Sequence, residues 1–407
     1  MLQFLLSSLF FVFAYFLVIF CLRREMATAT FPSTNLSSTI SPPIEAAPCY
    51  FNDSAPTRSG RILAYSIIML TSLIANFLVL AVFRRDRKMK KPINYFIINL
   101  CFSDLFITAI YMPRVLVTFA IGFEWHFEGA FGIISCKSVA FVYETAVTAS
   151  ILTVVIISFE RYLLLVFPLK TVINVRSAKV IIIAIWAVAV LFRWPIAYGI
   201  KLYNKRGKMF CHLNLNDVFG SGSEKLYYNI ILIALYAIPL FLIFVFYSVI
   251  IVTLKRRKSP GQGMRQESDD RKKKRDLRML KMVMIVIAVF VICWLLYFIR
   301  FIILSYGVKL SQPCDLLFAS FLLAHSNSAI TPCLYFVFNE NFRRGLQSLL
   351  ASFFPECFIT RVHSASVSDS STNFGGRGSS EFGQEMKTTL GGGKTSVRAV
   401  SFQPKSI

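Results

Sequence analysis

The side chains able to do chemistry in this sequence are few, and they sit inside apolar runs where a polar group is costly. Asp104 falls midway through NLCFSDLF, Asn76 in LIANFLVL, Ser150 in the run after Ile133, and Asn327 and Ser328 in HSNSAITPCLY. An ionisable group in such a run faces a bundle interior and marks function by default. Brought to one depth, these side chains make a hydrogen-bonded cluster round a carboxylate. A second charged element, SFERYLLLVFPLK, sets Glu160 beside Arg161, either as a salt-paired helix end or as a charge held for use elsewhere. Glu144 is a further charge in apolar surroundings; it either faces a ligand or is satisfied by Arg193 or Arg300. Metal-assisted or nucleophilic chemistry has no residues to run on, because the four histidines are scattered and no HExxH-type spacing occurs.

The elements that must position these groups are membrane-spanning helices. Of 407 residues, 56% are hydrophobic and only 16% charged, with a mean hydropathy of +0.61, too apolar for a soluble protein. A spanning helix needs about 20 apolar residues, and seven runs meet that length: 62–83, 94–121, 133–166, 178–199, 227–254, 277–304 and 314–338. The expected fold is therefore an all-α membrane protein, a seven-transmembrane helix bundle over 61–338. Pro113, Pro195, Pro239 and Pro332 lie inside runs, where each deletes a backbone hydrogen bond and kinks its helix. The basic clusters at Arg84–Lys91, Lys170–Lys179, Lys255 and Arg271 put connections one, three and five inside. They outvote Lys201, Lys205, Arg206 and Lys208 after the fourth run. The N-terminus is then extracellular and the C-terminus cytoplasmic, and the formal charge of +23 reflects topology rather than nucleic-acid binding.

Residues 2–21 form an eighth apolar run followed by Ala27-Thr28-Ala29, so 1–29 reads as a cleaved signal peptide, an uncleaved anchor, or sequence upstream of a start at Met26. Residues 30–60 form an extracellular arm glycosylated at Asn35 and Asn52. Cys49, Cys136, Cys211 and Cys314 fall on the outer side and allow three disulfide connectivities. A Cys136–Cys211 bridge would pin the loop after the fourth run across the bundle, and Cys49 with Cys314 would then tie the arm to the last outer loop. NENFRRGLQSLLASFF opposes Phe342, Leu346, Leu349, Leu350 and Phe353 to Arg343 and Arg344, an amphipathic eighth helix over 339–357 on the inner leaflet of the lipid bilayer. Cys357 follows as a palmitoylation site. Residues 358–407 are too polar to fold alone.

One mark stands on each run in order: Asn76; Asn99, Leu100 and Asp104; Trp125 in a connection; Cys136 and Glu160-Arg161-Tyr162; Trp186; Pro239 and Tyr247; Phe290, Cys293 and Trp294; Pro332 and Tyr335. Over roughly 60–350 this order resembles the rhodopsin-like (class A) G-protein-coupled receptors of neuropeptide-receptor type. The resemblance implies a plasma-membrane receptor, not an enzyme, that binds an extracellular ligand and activates a heterotrimeric G protein by rearranging spans five to seven. It implies that Arg161 is held at rest by Glu160, with Asp276 a second restraint across the bundle, and is freed on activation. Tyr162 completes that motif, Tyr247 and Tyr335 approach Arg161 in the active state, and Phe290, Trp294 and Pro332 form the switch beneath the ligand. Asp104, Ser150, Asn327 and Ser328, with Asn76 and Thr331, match a sodium site, sodium being an allosteric modulator. The serine-rich run from Ser364 to Thr372 would serve a receptor kinase and then arrestin.

Two residues depart from the family pattern. Leu296 replaces a proline, which puts the span-six kink in question, and Thr331 replaces an asparagine or aspartate, which weakens the sodium site. Tyr143 stands where amine receptors carry aspartate, and His325 where opsins carry the retinal lysine, which removes both ligands. A peptide remains, contacting Tyr143, Glu144, Trp294, Arg300 and His325, with a lipid or other small molecule as the alternative. A transporter with a polar core would show internal repeats, and the two halves of the chain are dissimilar.

Overall fold

The computed structural model describes residues 54–167, 173–256, 264–305 and 314–353. Asn35, Asn52, Cys49, Cys357 and the serine-rich run lie outside the described residues, as do the side chains of Asp276 and Cys314.

Among the described residues, seven helices are long and apolar enough to cross a membrane: α1 (Ala55–Arg85), α2 (Pro92–Ile121), α3 (Gly129–Val166), α4 (Val175–Gly199), α5 (Ser223–Leu254), α6 (Met264–Ser305) and α7 (Cys314–Phe338). α8 (Glu340–Phe353) follows after Asn339. Local chemistry sets their starts. Ser54 Oγ accepts the Thr57 amide at 3.4 Å and Asn174 Oδ1 the Ser177 amide at 2.8 Å, each satisfying a donor that the first turn leaves free. α1 thus begins inside the arm expected over 30–60. α8 is shorter at its start than the amphipathic stretch expected over 339–357.

Proline acts less uniformly than the sequence implies. Before Pro113 and Pro239 the helix widens into π-helical turns, Ile107–Tyr111 and Ile233–Ala237. An extra residue in the turn lets the ring clear the preceding carbonyls. Pro195 and Pro332 instead lie within α4 and α7. With Leu296 where a proline was looked for, α6 is one uninterrupted α-helix.

α3 packs against α2, α4 and α5, while α7 packs against α1 and α6. The core has two main parts. One, toward the Glu160–Arg161 end, holds Val79, Ile97, Val154, Ile157, Tyr247, Val286 and Tyr335; the other holds Tyr65, Tyr143, Leu235, Trp294, Phe321 and Ala324. α8 docks through Phe342, which is fully buried, and Gly345. A Cβ on Gly345 would lie 2.3 Å from Val82 Cγ1. Gly345→Ala is therefore expected to destabilise the docked helix by about 1–3 kcal/mol, with Val82→Ala restoring it, as read by hydrogen exchange over 340–353. Equal protection in wild type and Gly345→Ala would sink this.

The expected helical bundle stands, and the connection after α4 adds two short strands. β1 (Ile200–Lys205) and β2 (Lys208–Leu213) form an antiparallel hairpin with Lys205 opposite Lys208. Its two-residue turn puts both Arg206 (φ 55°) and Gly207 (φ 80°) in the left-handed region, the type I′ geometry that matches strand twist. Asn204 Oδ1 accepts the Gly207 amide at 2.9 Å.

Candidate functional site

At the hairpin end, Cys136 near the start of α3 is bonded to Cys211 in β2, with Cα atoms 5.7 Å apart. The outer edge of β2 is held as well. The Trp125 amide donates to Met209 O at 2.7 Å, Glu124 bridges Phe210, and Lys208 Nζ lies 2.7 Å from Glu124 Oε2. Arg114 fastens this connection to α2, donating to Phe123 O at 2.6 Å with its guanidinium 5.0 Å from the Trp125 ring. Only the disulfide could be anticipated; its two partners were among four candidates.

About two turns further along α3 lies an aromatic cluster from α1, α2, α3, α6 and α7. Tyr111 stacks on Tyr143 at 3.6 Å, and Phe321 stacks on His325 at 5.8 Å. His325, fully buried, joins two tyrosines: Nδ1 is 2.6 Å from Tyr65 Oη and Nε2 is 3.3 Å from Tyr143 Oη. Tyr65 and Tyr111 had no sequence signal, since an aromatic residue in an apolar run is ordinarily packing. Glu144 is taken: its carboxylate lies 3.0 Å from Arg193 Nη1, and Arg193 Nε donates to Thr148 Oγ1 at 2.7 Å. Of the two cations that might have satisfied Glu144, the fold brings Arg193. Trp294 is 2% exposed and packs on Phe290, Tyr297 and Phe298.

In the middle of the bundle, Asp104 Oδ1 accepts from Ser328 Oγ at 2.6 Å. Asn76 Nδ2 donates to Ser328 O at 3.0 Å, and Ser72 Oγ joins Thr108 Oγ1 at 2.7 Å, two members the sequence had not singled out. Asn327 pairs with Thr331 at 3.4 Å, apart from Asp104. Ser150 Oγ and Asn76 Oδ1 are buried without partners. A buried carboxylate with spare neutral oxygens suits a small hard cation, so this donor set fits sodium. Nearby, Asn99 ties three helices, donating to Thr153 Oγ1 at 2.8 Å while its Oδ1 accepts from Trp186 Nε1 at 2.9 Å.

At the opposite end, Arg161 donates twice to Glu160, Nε at 2.5 Å and Nη2 at 2.9 Å, and both residues are 8% exposed. Tyr162 stacks loosely on Phe159. The Tyr247 and Tyr335 hydroxyls are buried without hydrogen-bond partners. Tyr335 lines a small apolar recess with Ile97, Val154, Ile157, Val286 and others. Among the described side chains, α6 is tied across this end by an ion pair of Arg278 with Glu340, the first residue of α8. The Asp276 restraint on Arg161 expected from the sequence falls on a side chain outside those described. Glu340→Gln is expected to raise basal signalling if this tie holds α6 closed. Unchanged basal output at equal surface level would reduce it to a solvated contact of the usual small worth.

The family model for the "7 transmembrane receptor (rhodopsin family)" matches residues 75–335. The chain is 30% identical to the neuromedin-K receptor of Rattus norvegicus over 288 residues, 70% of this chain and 62% of that protein's length. It is 30% identical to neuropeptide FF receptor 1 of Homo sapiens over 336 residues, 79% of this chain and 75% of the relative. It is 28% identical to the substance-P receptor of Homo sapiens over 287 residues, 70% and 69% of the two chains.

Proposed function

The chain belongs to the rhodopsin family of seven-transmembrane receptors, and from that premise we propose that it is a G-protein-coupled receptor for an extracellular neuropeptide. The similarity to neuromedin-K, neuropeptide FF and substance-P receptors supports a peptide as the ligand. The observation that carries the reading is the pairing of two unlike ends in one bundle. One end offers an aromatic site roofed by a disulfide-tied hairpin. The other keeps a buried ion pair, Arg161 with Glu160, and Tyr247 lies within electrostatic reach of both.

In this proposal the hairpin end faces outside the plasma membrane and the Arg161 end faces the cytoplasm, as the basic connections favour. A peptide enters past the hairpin and reaches Tyr143, Trp294, Arg300 and His325. Its binding energy favours a second arrangement of spans five to seven, and only interactions that differ between the two arrangements can shift the balance. Glu160 then releases Arg161 to the G protein, and Tyr247 and Tyr335, each with an unspent hydroxyl, turn toward it.

Sodium bound by Asp104 with Ser150 and Asn76 would favour the resting arrangement by fixing α1, α2 and α3. α8 would lie on the inner leaflet, with Cys357 lipidated, and the tail would recruit a receptor kinase and arrestin.

The test is to express the chain in cells, apply a neuropeptide library and record G-protein dissociation. A response to one peptide class, absent in an Arg161→Ala variant that reaches the surface, is expected. Silence throughout the library at good surface expression would count against a peptide. Trp294→Ala is expected to lower ligand-driven signalling at least tenfold while leaving surface level within twofold, about 1.4 kcal/mol of coupling. Equal loss of both would show that Trp294 serves folding alone.

A further inference from the structure

Among the described residues of the hairpin half, three arginines lie over aromatic rings. Arg61 is 5.7 Å from the Phe318 ring and is matched by Asp315 at 2.6 Å. Arg114 is 5.0 Å from the Trp125 ring and is matched by the Phe123 carbonyl at 2.6 Å. Arg300 is 5.2 Å from the Phe321 ring and 5.9 Å from that of Tyr297, and among the described residues neither a carboxylate nor a carbonyl matches it. Its Nε is buried with no hydrogen-bond partner. The carboxylate the sequence offered to it, Glu144, is held instead by Arg193.

A guanidinium stacked on rings keeps its charge and presents its fork edge-on, the geometry that grips a carboxylate through two parallel hydrogen bonds. A buried donor without a partner costs free energy until something supplies one. The ring it covers belongs to the aromatic cluster, since Phe321 stacks on His325 and His325 reaches Tyr143. The unmatched positive charge therefore stands at the edge of the ligand site, while the negative charge of that site is already neutralised.

We propose that Arg300 receives a carboxylate from the ligand, so that this receptor selects a peptide with a free carboxylate over the same peptide as an amide. The proposal rests on the reading of the hairpin end as a peptide site. The carboxylate comes either from the peptide's C-terminus or from an acidic side chain.

The experiment uses the full chain in cells and a short-peptide library made twice, as free acids and as C-terminal amides, with Glu/Gln and Asp/Asn exchanges in every active member. Free acids are expected to be about tenfold to a hundredfold more potent in G-protein dissociation, the worth of one charge-assisted interaction. That preference should vanish in Arg300→Gln and return in part in Arg300→Lys. A preference that follows the Glu/Gln exchange and also needs Arg300 assigns the carboxylate to a side chain. Amides equal to or better than acids, or a preference indifferent to Arg300→Gln, would overturn the proposal and leave a peptide receptor standing. Silence of both libraries would instead remove the peptide reading. Arg300 is then judged on purified wild-type protein, by thermal stability with N-acetyltryptophan against N-acetyltryptophanamide at millimolar concentration. Stabilisation by the acid alone supports a carboxylate site, and equal or no stabilisation refutes it.

Discussion

Serine at Cys136 or at Cys211 is expected to abolish high-affinity ligand binding, and serine at both positions to do no more than either change alone. The bridge closes 75 residues of chain, for which the loop-entropy account gives about 4 kcal/mol. That figure is an upper bound here, because α3 and α4 already hold the ends of much of the loop. What remains falls on the hairpin, whose other fastenings include a pair of strand-edge contacts and the solvent-facing Lys208–Glu124 and Lys201–Asp217 pairs. Saturation binding of surface protein, compared across the two single variants and the double, checks this. Losses that add would show that the cysteines act separately.

Glu144→Gln is expected to destabilise the detergent-solubilised protein by about 3–5 kcal/mol, because it strands a buried cation. The Arg193 side chain is 6% exposed and is left with neutral partners, the Thr148 hydroxyl and the nearby Tyr227, when its carboxylate is lost. Replacing both partners, Glu144→Leu with Arg193→Met, is expected to recover most of the loss, since the penalty lies in the unmatched charge and not in the absence of the pair. Thermal unfolding of the two single variants and the double reads the coupling directly. A Glu144 that instead serves the ligand predicts lost binding at unchanged stability, with no recovery in the double variant.

The eight helices were legible because their signals are local. Seven follow from the length of apolar runs, and α8 from the spacing of Phe342, Leu346 and Leu349 against Arg343 and Arg344. The ordered marks from Asn76 to Tyr335 pointed to the family now shown by its match over residues 75–335. Local detail was less legible: the connection after the fourth run read only as a loop, without its hairpin, and the π-turns before Pro113 and Pro239 have no signal of their own beyond the proline.

Sequence by itself determined which groups are charged and roughly how deep each lies, since one helix carries its residues at a fixed rise and periodicity. It could name Glu144, Arg193 and Arg300 as charges in need of partners, and Asp104 as a carboxylate in need of donors. Only the tertiary structure decided the pairing: Glu144 with Arg193, Asp104 with Ser328, His325 between Tyr65 and Tyr143, and Arg300 with aromatic rings and, among the described residues, no anion. The reason is geometric. Partners on different helices meet according to how each helix is rotated about its axis and which helices are neighbours, and both are set by packing across the whole bundle rather than by any run of residues within it.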